Sequence, residues 1–169
     1  MRGIAKAAGV SRTTLVARFA SKADLFRAIM TQQAARMAAS SALHEQGAPD
    51  LEKGLTAFGN RALKYSLEGD LLEINRLITS AAGQFPEVAA VVVESTHAGV
   101  VQVAEFIARC AEADGVPCRD PEAVAECFIL ALRGWYGRVL LGGDLPSASA
   151  RERLVARMVA MLIAGRSGW

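Results

Sequence analysis

A chain of 169 residues, 52% of them hydrophobic, holds one domain or a small domain fused to a larger one, with enough apolar surface for a sizeable core. No apolar run approaches the roughly 18 residues of a membrane span, and the N-terminus lacks the continuous apolar stretch of a secretion signal. Three cysteines (Cys110, Cys118, Cys127) without a CxxC pair fit reduced, cytoplasmic thiols rather than a disulfide framework. The net charge of +2 conceals an asymmetry: residues 1–40 carry +6, seven basic residues against Asp24 alone, and the remainder carries −4. A basic end on a mildly acidic body is the footprint of a polyanion-binding module joined to a part that leaves the polyanion alone, although a solvated basic face gives the same count.

Helix formers dominate, and Pro and Gly cut the chain into helical lengths, which predicts an all-α fold. A short helix is expected near Arg2–Ala8, a turn at Gly9-Val10, and a second short helix over Ser11–Arg18. A long third helix, Lys22–Leu43, has Ser21 as its N-cap and Asp24 in the capping-box position; Leu25, Phe26, Ile29, Met30 and Met37 recur along it at helical spacing. Gln46–Asp50 breaks that helix and caps Leu51–Leu67, whose stripe reads Leu51, Leu55, Phe58, Ala62 and Tyr65. Gly69-Asp70 opens Leu71–Ala82. Pro86 suits the first turn of a helix running to about Ala113, with Gly99, Val103, Phe106, Ile107 and Cys110 on one face.

Asp120-Pro121 supplies a cap and a first-turn proline for Pro121–Leu141, and Gly142–Ser147 leads into Arg151–Ala164. Both closing helices are apolar beyond a single stripe, so each buries more than one face, within the subunit or across a two-fold axis. The small size of the domain favours the second, a homodimer through 121–141 and 151–164. The organisation expected is a head with its linking helix, residues 1–44, followed by a larger helical unit, residues 45–169.

Two short helices joined by a tight glycine turn form a helix-turn-helix. Within Ile4–Leu15, Ala5 and Ala8 let the helices approach, Gly9 can take the positive φ of the turn, and Val10 fills the angle between them. Ser11 caps the second helix, and Leu15 and Phe19 point back into the core. Arg12, Thr13 and Thr14 then project from the exposed first turn, the part of a recognition helix that reaches base edges in the major groove. Arg18 and Lys22 are placed for phosphates.

The segment Ile4–Ile29 resembles the DNA-binding domain of the TetR (tetracycline-repressor-like) family of bacterial regulators. Ile4-Ala5, Ala8-Gly9-Val10-Ser11, Thr14-Leu15, Phe19, Ser21-Lys22 and Leu25-Phe26 carry the likeness, and Phe85-Pro86-Glu87 with Leu132-Arg133-Gly134 resembles a subgroup of the family. The resemblance implies a regulator, usually a repressor, that binds palindromic operator DNA as a homodimer and responds to a small effector in its larger domain. The chain departs from the family at Thr13, where glycine is usual, and at Val16, where a phosphate-contacting tyrosine is usual. The family also has a complete helix before Ile4. The expectation is therefore a chain starting at an internal methionine, with weak DNA binding that an upstream helix would restore.

An effector site would draw its walls from the middle helices. Leu55, Phe58, Leu77, Phe85, Val92, Phe106, Phe128 and Trp135 are candidate apolar lining, and Arg76, His97 and Tyr136 candidate polar anchors, for an apolar or aromatic small molecule. Each anchor has a plainer role open to it: a surface ion pair for Arg76, a core or interface histidine for His97, a dimer contact for Tyr136. The chain carries no HExxH, P-loop or GxSxG motif, so neither an enzyme, a metal site nor a cofactor is expected. The alternative to a DNA-binding regulator is a dimeric helical ligand-binding or protein-interaction module that does not bind DNA in this form.

Overall fold

The computed structural model describes residues 9, 11–39, 43 and 49–169; the helix expected near Arg2–Ala8 lies outside them. Among the described residues all regular structure is helical. The elements are α1 (Arg12–Arg18), α2 (Lys22–Ala39), α3 (Leu51–Leu67), α4 (Asp70–Ala82), α5 (Pro86–Asp114), α6 (Pro121–Leu140) and α7 (Ala148–Ala164), closed by a 3-10 turn at Arg166–Gly168.

Capping chemistry sets the boundaries. Ser11, Asp50, Asp120 and Ser147 each accept a hydrogen bond from the amide three residues on, satisfying one of the free donors at a helix start. Ser147 starts α7 one turn ahead of the expected Arg151. Ser21 caps α2 through the Asp24 amide at 3.0 Å. Asp24 accepts from the Ser21 hydroxyl at 2.8 Å, rather than from the backbone N–H that a capping box would use, and pairs with Arg27 at 3.4 Å. Pro86 and Pro121 occupy first turns, where a missing N–H leaves no bond unmade.

The main core gathers around α3. Leu51, Leu55, Phe58 and Leu63 meet Val103, Phe106, Ile107 and Cys110 of α5, Phe128, Ile129 and Leu132 of α6, and Val155 and Val159 of α7. Because α5, α6 and α7 all pack on it, α3 buries more than the one stripe expected: Leu63 and Leu67 are fully buried, whereas Ala62 and Tyr65 are only half-buried. Two glycines permit this closeness. A Cβ on Gly54 would overlap the Phe106 ring, and one on Gly59 would lie 2.8 Å from Val155 Cγ1 and 3.2 Å from Phe128 Cζ.

A second, smaller core joins Phe26 of α2, Ile78 of α4 and Val88 of α5, with Ile29, Met30, Phe85 and Val92 packed against it. It fastens the basic N-terminal segment to the body. The long α5 serves both cores, Val88 in the second and Val100 to Cys110 in the main one. An 18-residue stretch of α5 has a mean hydropathy of 1.2, so by length and composition alone this helix could cross a membrane. Past the end of α2, the Arg109 guanidinium of α5 donates to the carbonyl of buried Leu43.

Candidate nucleic-acid interface

The site is built from the turn upward. Gly9 has φ of 64°, a left-handed conformation that costs glycine nothing. Ser11 is extended, and its Oγ accepts from Thr14 N at 2.9 Å and lies 2.7 Å from Thr14 Oγ1. A seven-residue helix does not persist alone, so tertiary anchors must hold α1. They are Leu15, only 8% exposed, and half-buried Phe19, whose N–H donates to the Leu15 carbonyl at 2.9 Å.

With the apolar side so used, Ser11, Arg12, Thr13, Thr14 and Arg18 are all exposed. This puts a guanidinium and two threonine side chains on one short first turn, chemistry suited to base edges and phosphate oxygens. Thr14 shares one hydrogen bond of its hydroxyl with Ser11, and its methyl offers an apolar contact suited to a thymine. Val16 is 43% exposed beside them. The Arg18 guanidinium lies 6.0 Å from the Phe19 ring centroid. Lys22 behaves differently from the other five: it is half-buried, and its Nζ sits 4.5 Å from the centroid of Phe85, which precedes α5.

The candidate effector residues fall in three places. Phe58 and Phe128 meet in the main core with ring centroids 6.3 Å apart, and Trp135 and Tyr136 pack against that core. Burial raises the Tyr136 pKa above the usual phenol value, with Arg133 and a hydrogen bond with Ser66 acting the other way. Arg76 reaches the same end of α6: Nη2 donates to the Val139 carbonyl at 3.2 Å, and Nη1 pairs with Glu73 at 3.0 Å. Its Nε is buried without a hydrogen-bond partner. Phe85 belongs instead to the second core. His97 lies exposed on α5, and Leu77 is 47% exposed on α4. An open groove of about 400 Å³ lies elsewhere, at the end of α5, between Ala108, Glu112, Cys118 and Pro121.

Several organising contacts join residues too far apart for helical spacing to pair them. Arg151 bonds Glu68 at 2.7 Å, Arg76 caps the end of α6, and Arg109 holds Leu43. No local pattern in the sequence marks them, because each arginine sits in a helix that carries other charged residues.

Two family profiles match the chain. One, described as the AefR-like transcriptional repressor C-terminal domain, matches residues 53–165, and the other, bacterial regulatory proteins of the tetR family, matches residues 1–29. Among solved structures, a Mesorhizobium loti protein assigned to the TetR family of transcriptional regulators has the same fold. It superposes with a TM-score of 0.72 over 96% of this chain and 84% of its own, at 22% sequence identity. Comparison with curated proteins gave no match.

Proposed function

The chain belongs to the TetR family of bacterial transcriptional regulators, and we propose that it is an effector-released repressor. In this reading a cytoplasmic homodimer, paired through α6 and α7, sets two copies of α1 into successive major grooves of a palindromic operator. The carrying observation is the Ser11-capped first turn of α1, which leaves Arg12, Thr13 and Thr14 exposed at the basic end of the chain. Arg12 and the threonines read bases; Arg18 and Lys22 meet phosphates.

Pairing through α6 and α7 is supported by exposed apolar residues, Leu130 on α6 at 50%, Met161 on α7 at 70%, and Leu141 just past α6 at 81% exposure. The proposed effector is a small apolar or aromatic molecule. Its supporting features are the rings of Phe58, Phe128 and Trp135 in or against the main core, Tyr136 packed against the same core, and Arg76 bonded to the Val139 carbonyl near the end of α6. An effector acts only through its difference in affinity for the DNA-competent and DNA-incompetent states.

The test is fluorescence anisotropy with duplexes from the region upstream of the protein's own gene. Sequence-specific binding that weakens steeply with salt is expected, and Arg12→Ala should lower specificity more than it lowers non-specific affinity. Binding of equal strength to every duplex, unchanged by Arg12→Ala, would sink the reading and favour a ligand-binding module.

A further inference from the structure

Among the residues proposed to meet DNA, Lys22 alone is attached to the body. Its ammonium lies 4.5 Å from the centre of the Phe85 ring, within the range of a cation–π attraction. Phe85 is the bend residue between α4 and α5: its N–H bonds the Ala81 carbonyl at 2.9 Å, and its own carbonyl accepts from Val88 and Ala89 as α5 begins. It also packs against the Phe26, Ile78 and Val88 core. Arg27, about one and a half turns along α2 from Lys22, reaches α5 as well, at 3.6 Å from Glu94. The ring that carries the lysine is thus set by the two helices of the body that meet at this bend.

From this juxtaposition we propose that Phe85 is a brake on DNA binding, acting through Lys22. An ammonium held on the ring keeps its charge but is fixed in place, so reaching a phosphate beyond that place costs the cation–π contact, and that cost subtracts from affinity. Because the ring's place depends on the α4–α5 bend, a shift of that bend raises or lowers the brake without touching α1. The proposal rests on Lys22 being a phosphate contact, and the experiment separates the two ideas.

A double-mutant cycle with Phe85→Leu and Lys22→Met, read by anisotropy on a short duplex of arbitrary sequence over a range of salt, provides the test, since phosphate contacts need no particular sequence. Phe85→Leu keeps an apolar side chain for the second core and removes the ring. In the otherwise native chain it should tighten binding about two- to fivefold. In the Lys22→Met background it should change nothing. Lys22→Met alone should weaken binding and lower the slope of log K against log salt by about one. If Lys22→Met leaves affinity and slope unaltered, both the phosphate reading and the brake fall. If it acts as expected but Phe85→Leu has no effect, weakens binding, or has the same effect in both backgrounds, the brake alone is overturned. Purely structural damage from Phe85→Leu would appear as that last outcome.

Discussion

Single atoms decide two features of this protein. At Gly54 an added methyl would overlap the Phe106 ring, which is fully enclosed and has nowhere to yield. Gly54→Ala is expected to cost about 1–3 kcal/mol, seen as a lower urea midpoint at unchanged slope. Cys110, fully buried, has its thiol pKa pushed from 9.0 up to about 11, chiefly by burial and then by the nearby Asp114. In the unfolded chain that thiol ionises near its ordinary value, while the folded one keeps its proton. The stability it contributes is therefore complete below pH 9.0 and is lost as pH rises towards about 11. Cys110→Ala should flatten that decline in chemical-denaturation curves taken across the range. A thiol reagent at neutral pH should reach Cys110 only on unfolding.

At the scale of elements, the closing pair α6 and α7 turn one side to α3 and expose another that includes Leu130 and Met161. Leu130→Arg or Met161→Arg, each at a site already open in the subunit, should leave the thermal midpoint of the monomer nearly unaltered. Either should halve the molar mass measured by light scattering, if that face pairs the two copies. Helix boundaries were legible in the sequence because they are local: a serine or aspartate cap, or a first-turn proline, acts within one turn. Ser11, Asp50, Pro86 and Asp120 all carried that signal. The burial of Leu63 and Leu67 did not follow from the α3 stripe, since it depends on how many helices surround α3, which no local window records. The exposed first turn of α1 was readable for the same reason that the caps were, being contained within Gly9–Arg18. The Lys22–Phe85 contact joins residues in different helices and emerges only from packing.

For the whole molecule, the second core is the bond between a basic head and an acidic body. Phe26 is 2% exposed and has partners from α4 and α5, so Phe26→Ala should remove about 3–5 kcal/mol from that junction alone. The expected result is a denaturation profile that splits into two transitions, the head melting first, with the main core retaining its own midpoint. The attachment at Arg109 changes what motion remains. With 18 residues, α2 is about 27 Å long; it is held to the body near its beginning by Phe26 and, beyond its end, by the Arg109 grip on Leu43. A beam fixed at one point can pivot; a beam fixed near both ends resists pivoting, so a change in the gap between two paired heads would require the hold at Phe26 or the hold at Leu43 to give.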